Sequence, residues 1–319
     1  MRPTSTLSIP LKSFLESDQL LILDGGLATE LEARGCDLSD DLWSARLLMD
    51  QPDLIRDVHL EYLRAGADCV VSASYQATCE GFTKRGLSRS ASMGLIERSV
   101  DLAKEARDEF WLDPANRRRR LQPLVAASVG PYGAFLADGS EFRGDYGLDE
   151  EQLEDFHRSR WELLASSGAD LLACETIPSR LEARALRRLL EATPGVQAWF
   201  SFSCGDGRCL SDGSPIDEVA AELESCPQVV AVGVNCTAPK YLSSLLERIR
   251  LGTSKPAVVY PNSGEIWDAN TRSWRLQDAS GPALLTCCHD WVRQGARLIG
   301  GCCRTRPRDI ETLRRSLLG

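Results

Sequence analysis

One short junction, repeated along the chain, constrains the fold more than any other feature. Gly66-Ala67-Asp68, Gly168-Ala169-Asp170 and Gly295-Ala296-Arg297 each fall between an amphipathic segment and an apolar run. A glycine at such a joint reads as the residue just past a helix end, where left-handed dihedrals are needed, and the small residue after it lets the chain re-enter a sheet. Apolar runs recur with this rhythm at 20–24, 68–74, 124–130, 170–175, 198–203, 229–235, 257–262 and 297–302. They are continuous rather than alternating, as in strands buried on both faces. Helical segments lie between them, among them 53–65, 153–167, 180–192, 217–225, 240–250, 282–294 and 307–318. Strands and crossover helices in this number close into a (β/α)8 TIM barrel, here a single domain over 20–319 behind an N-terminal segment, 1–19, with a short helix. An open doubly wound sheet is the alternative, but no G-x-G-x-x-G follows the first run.

Charge and cysteine usage narrow the function classes. The 319 residues hold 37 Lys and Arg against 46 Asp and Glu, a net charge of −9. Nucleic acid is therefore not expected as a partner, because phosphate binding needs a basic face. No apolar run approaches the roughly 20 residues of a membrane span. Glu16 and Asp18 interrupt the opening stretch where a secretory signal would be apolar, so a cytoplasmic location is expected. Twelve cysteines in a long chain of this kind are expected as core residues, metal ligands or catalytic groups rather than a disulfide framework. The run Arg117–Arg120 reads as an exposed, solvated loop, and the long segment 131–150 as a loop on the active face.

In a barrel, chemistry is built where strands end. Those ends supply Asp24-Gly25-Gly26, Ser74-Tyr75-Gln76, Gly130-Pro131-Tyr132-Gly133, Glu175-Thr176, Asn235-Cys236, Pro261-Asn262-Ser263-Gly264 and Cys302-Cys303. Cys236, Cys302 and Cys303 thus converge on one face, and three thiolates with an open fourth position make a zinc site that can take a substrate ligand. Adjacent cysteines in a pleated strand point to opposite faces, so Cys302 and Cys303 can share a metal only where pleating stops, a break supplied by Gly300-Gly301. No further Cys or His is expected on this rim. Cys287-Cys288 falls inside a helical segment and reads as packing, and Cys204 with Cys209 gives only a lone C-x4-C pair. Cys36, Cys69, Cys79, Cys174 and Cys226 read as small apolar residues. Asp24 and Glu175 are the carboxylates on the active face, placed to hold an ammonium group. None of His59, His157 and His289 falls at a strand end.

The segments LDGGLATELEARG, ADCVVSASYQAT, ACETIPSRLEA, AVGVNCTAPKYL, VVYPNSGEIWD and LIGGCCRTRP resemble those of the homocysteine S-methyltransferases, over about Leu20 to Leu318. The likeness is to the plant and bacterial type that uses S-methylmethionine. It implies a zinc ion on Cys236, Cys302 and Cys303, and homocysteine contacts at Asp24, Gly25, Gly26 and Glu175. Asn235 joins them as a substrate-side residue. The implied reaction moves a methyl group from S-methylmethionine, or possibly from S-adenosylmethionine, to L-homocysteine. A sulfonium loses its charge in the transition state, which suits an aromatic face; Tyr75, Tyr132, Tyr260 and Trp267 are the candidates. The chain stops soon after its last helix, without the oligomerising extension of the betaine-using relatives, so a monomer is expected. Selenocysteine methyltransferases share the scaffold and are the alternative activity. A structural zinc in a binding protein is the alternative from another class.

Overall fold

The computed structural model describes residues 13–14, 20–38, 42–118, 120–268, 273–276 and 284–319. The strands are β1 (Leu21–Ile22), β2 (Cys69–Val71), β3 (Leu124–Val129), β4 (Leu171–Ile177), β5 (Ala198–Phe202), β6 (Val229–Asn235), β7 (Ala257–Tyr260), β8 (Glu265–Asp268), β9 (Ser273–Leu276) and β10 (Ala296–Ile299). All but β8 and β9 form one parallel sheet in the order β1-β10-β7-β6-β5-β4-β3-β2. A parallel bridge between Leu23 and Cys69 joins its two ends, with the Asp24 N–H donating to the Cys69 carbonyl at 3.1 Å. The (β/α)8 barrel is therefore closed, and the open sheet is excluded.

The joint glycines do what their position requires: Gly66, Gly168 and Gly295 have φ of 112°, 78° and 106°. Side chains of each strand then alternate between two apolar layers. Leu171, Ala173, Trp199, Val258 and Leu298 fill the barrel interior, while Leu172, Cys174, Phe200 and Val259 pack outward on the helices. Phe14 joins the interior layer; of the 1–19 segment, residues 1–12 and 15–19 lie outside the described residues. Strand β2 is shorter than the run 68–74 suggests. Past Val71 the serines take over the bonding, with Ser72 Oγ 2.7 Å from Ser74 Oγ and Ser74 Oγ donating to the Ser128 carbonyl at 2.7 Å. The antiparallel hairpin β8–β9, inserted between β7 and β10, was not expected. Its signal was the short apolar–polar alternation on either side of a polar turn.

At the amino end of the barrel Asp68 ties four segments together. It accepts from the Ile22 N–H at 3.2 Å, from Arg120 at 3.1 Å and from Arg314 at 2.8 Å. Arg314 belongs to the last helix, Pro307–Leu318, so the first and last βα units meet on one carboxylate. The reading of Arg117–Arg120 as a solvated loop holds for Arg117 and Arg118, which are exposed, and is corrected for Arg120. Arg120 is largely buried, bonds the Leu63 and Ala67 carbonyls and lies over the Phe110 ring at 5.0 Å. Arg117 caps Trp111, donating to its carbonyl at 2.7 Å. Arg119 lies outside the described residues.

A candidate thiol and carboxylate site on the carboxyl rim

A cavity of about 400 Å³ opens at the carboxyl ends of the strands. The Sγ atoms of Cys236, Cys302 and Cys303 line it within 4.8 Å of one another. Cys303 Sγ stands 3.7 Å from Cys236 Sγ and 4.0 Å from Cys302 Sγ. Strand β10 has ended by Ile299, so neighbouring cysteines are released from the pleat, as expected. A Cβ on Gly301 would fall 2.2 Å from the Thr305 side chain, and one on Gly300 2.7 Å from the Asp24 carbonyl; only glycines let this turn fold so closely on itself and on β1. The turn is pinned by Cys302 N–H to the Pro261 carbonyl at 2.8 Å, and by Ser263 N–H to the Cys303 carbonyl at 3.2 Å.

Backbone strain is concentrated here. The non-glycine residues with left-handed φ among the described ones are Ala137, Thr176, Cys236 and Arg304. The first three line the cavity and the fourth follows Cys303 directly. Such a conformation costs about 1–3 kcal/mol each and persists only where the surroundings impose it. Asn235 does so for Thr176, accepting from its N–H and donating to its Oγ1, both at 2.7 Å. Asn235 itself does not line the cavity; it holds a residue that does.

The thiols share their protons unevenly. Hydrogen bonding from Cys236 holds Cys303 well below the usual thiol range, while bonding to Cys302 and Cys303 and burial push Cys236 up.

Asp24 and Glu175 stand beside Cys302. Burial pushes Asp24 well above the carboxylate range despite the Val71 N–H donating to its Oδ2 at 2.9 Å, and the nearby Glu175 adds to the rise. Burial also lifts Glu175 to about 7. Its Oε1 accepts from the Ser128 hydroxyl and its Oε2 from the Tyr260 hydroxyl at 3.1 Å. Tyr260 is fixed in turn by Trp199 Nε1 at 3.0 Å, so this tyrosine buttresses a carboxylate. The Gly25-Gly26 turn presses on the Cys302-Cys303 turn: a Cβ on Gly26 would lie 2.8 Å from the Cys302 carbonyl. Beyond these, Glu32, Asp37 and Glu141 line the cavity, and no Lys, Arg or His among the described residues does.

Among the aromatic candidates, Tyr75 lines the cavity. Tyr132 does not: its ring packs on Phe156, Tyr146 and Phe135, at centroid distances of 4.8, 5.2 and 5.8 Å. The Trp267 side chain lies outside the described residues. Cys36 lines the cavity, contrary to the expectation of no further cysteine on the rim, yet it stands apart from the thiol cluster. Its place on the first βα loop was the available signal. Cys288 is buried in the Leu284–Arg293 helix, and Cys204 and Cys209 join no ligand group among the described residues. The histidines all sit on helices: His59 on Pro52–Ala65, His157 on Glu150–Ser166 and His289 on Leu284–Arg293.

The chain is similar over nearly its whole length to known proteins of one family. The family model described as homocysteine S-methyltransferase matches residues 21–317. The homocysteine S-methyltransferase YbgG of Bacillus subtilis is 50% identical over 307 residues, covering 95% of this chain and 96% of that protein. The homocysteine S-methyltransferase of Escherichia coli is 51% identical over 305 residues, covering 96% and 97%. The crystal structure of the metallated homocysteine methyltransferase MmuM from Escherichia coli superposes with a TM-score of 0.85 at 50% identity, over 96% of this chain and 99% of that one.

Proposed function

Since the chain belongs to the homocysteine S-methyltransferase family, we propose that it transfers a methyl group from S-methylmethionine to L-homocysteine, giving methionine from both. The observation that carries this reading is a cavity in which clustered cysteine sulfurs meet a lining of acids, without a base among the described residues.

The donor set fits zinc. The sulfurs are soft ligands, and no fourth ligand joins their cluster among the described residues, which suits an open catalytic site better than a closed structural one. Cys236, Cys302 and Cys303 would hold the ion. Bound there, zinc supplies Lewis acidity that ionises a thiol presented to its open position.

The chain's own residues do the rest. Asp24 and Glu175 receive the ammonium of homocysteine; a cation between them relieves the repulsion and desolvation that hold both carboxyls up, and both ionise. Ser128 and Tyr260 fix the direction of the Glu175 oxygens, which orients the acceptor's sulfur relative to the thiol cluster. The acidic lining draws in a donor of net positive charge and repels one that carries phosphates or several carboxylates. Tyr75 offers an aromatic face to the sulfonium, attracting the cation without penalising its neutralisation as a carboxylate would. The acceptor sulfur then attacks the methyl carbon. The donor's carbon–sulfur bond breaks with its electron pair remaining on the donor sulfur, which leaves as a neutral thioether.

The test combines metal analysis with steady-state kinetics of the zinc-loaded protein. We expect sulfur-only ligation by X-ray absorption, one more sulfur ligand when homocysteine is added, and a higher kcat/KM with S-methylmethionine than with S-adenosylmethionine. Full turnover without metal would overturn the zinc assignment. A preference for S-adenosylmethionine, or activity with betaine alone, would overturn the donor assignment.

A further inference from the structure

Two buried hydrogen-bond acceptors in the cavity have no partner among the described residues: Glu141 Oε2 and Gln76 Oε1. A buried acceptor left unmade costs about 1–3 kcal/mol, so orphans lining a ligand cavity mark where a donor is expected. The amide orientation of Gln76 is set by chemistry, since its Nε2 must face the Ala134 carbonyl, at 2.8 Å, leaving Oε1 turned elsewhere. The two side chains belong to one layer of loops. Ala134 lies in the short helix Tyr132–Leu136, and its neighbour Gly133 packs so tightly on Glu141 that a Cβ there would meet the Glu141 nitrogen at 2.3 Å. The Ser203 hydroxyl anchors the Glu141 carbonyl at 3.0 Å. The cation near Glu141, Arg143, is engaged with Asp138 and Asp145 at 3.8 and 3.2 Å.

This pair lines the same cavity as the thiols and the carboxylates described above, but on different loops from Asp24 and Glu175. Tyr75 lines it too, next to Gln76 in the chain, and is influenced by Glu141, Cys236 and Glu175. Tyr75 is also hydrogen-bonded by Thr176, the left-handed residue at the end of β4. One ammonium is already provided for by Asp24 and Glu175. The reaction proposed above brings a second amino acid into the same cavity, and its ammonium has several N–H donors and no acceptor. Resting on that reading, we propose that Glu141 and Gln76 form the subsite for the α-ammonium of the methyl donor, with Tyr75 lining the same cavity beside Gln76. The assignment makes Glu141 a specificity residue for amino-acid donors over simple sulfonium compounds. Burial lifts the Glu141 carboxyl to about 7, and an arriving cation would return it to the charged form.

The experiment crosses a protein change with a donor change. Wild type and Glu141→Gln, both zinc-loaded, are assayed with S-methylmethionine and with 4-(dimethylsulfonio)butanoate, the same sulfonium with hydrogen in place of the ammonium. In the variant we expect the KM for S-methylmethionine to rise about ten- to a hundredfold, with zinc content and homocysteine KM unchanged. With the desamino donor, wild type and variant should be equally poor. Gln76→Leu should repeat the pattern at a smaller fold-change. Equal losses on both donors, a shift in homocysteine KM instead, or unchanged kinetics with S-methylmethionine would each overturn the subsite. Failure of the donor reading itself shows earlier and separately, as a wild type inert toward S-methylmethionine.

Discussion

Asp68 and Asp24 are buried almost alike, 3% and 5% exposed, on neighbouring strands at opposite ends of the barrel. Asp68 meets two guanidinium groups and a backbone N–H. Asp24 meets a backbone N–H, a second acid and, among the described residues, no base. A buried charge with its partners in place is a tie between chain segments; the same charge without them is an unfilled contact waiting for a ligand. The left-handed residues other than glycine repeat the contrast, since those among the described residues cluster at the carboxyl rim. Stability is invested at the amino end and drawn on at the other.

The sharpest way to break this division is at the thiols. Cys236→Ser, Cys302→Ser and Cys303→Ser should each lower metal retention and turnover by more than about 100-fold, while the unfolding midpoint of the metal-free protein hardly moves. Loss of the fold in these variants would mean that the rim also carries stability. Next in size is Asp68→Asn, which strands Arg120 and Arg314 and should cost about 3–5 kcal/mol in denaturant unfolding. Its folded fraction should keep normal kcat/KM; a kinetic defect would contradict the separation of the two ends.

A pH series tests the rim carboxyls directly. Glu175 goes from an ordinary 4.5 to about 7 on folding, so the folded chain binds its proton more tightly than the unfolded one. The substrate-free protein should then be most stable below pH 4.5 as far as this group is concerned, and lose up to about 3 kcal/mol as pH rises through 7. Subtracting the urea-unfolding profile of Glu175→Gln from that of wild type should isolate this slope, and a flat difference would show that the carboxyl is not raised. In kinetics the same substitution removes a charge-assisted contact of about 1.5–3 kcal/mol. The homocysteine KM should rise about ten- to a hundredfold with normal zinc content. The smallest expected effects separate the tyrosines. Tyr75→Leu should weaken the donor by about 0.5–2 kcal/mol, read as its KM, whereas Tyr132→Leu should lower only thermal stability. Equal kinetic effects from both would erase the distinction that their positions draw.

The barrel was legible because its determinants are local: continuous apolar runs, and joint glycines whose positive φ no ordinary residue takes cheaply. The thiol site was legible for a related reason. Strand ends converge by topology, so Cys236, Cys302 and Cys303 could be brought together without knowing any side-chain geometry. What escaped depends on contacts between distant segments. Arg120 looks like part of a polar loop until the Asp68 carboxylate and the Phe110 ring are seen beside it. Tyr132 follows a strand end as Tyr75 does, but a neighbouring helix offers its ring Phe156, and nothing within four residues announces that. Glu141 lay inside a loop already singled out, yet only its unpaired, buried oxygen distinguishes it from the other acids there.

A cavity walled by acids, with no opposing base among the described residues, treats the two sides of the proposed reaction unequally. The sulfonium donor arrives with a net positive charge and the acceptor thiol reacts as an anion; each leaves as a zwitterion of zero net charge. The field that gathers the donor thus loses its grip at the moment of methyl transfer. Turnover discharges the pocket, and departure of methionine needs no separate opening motion to overcome that attraction. Added salt should accordingly slow loading while leaving unloading nearly untouched.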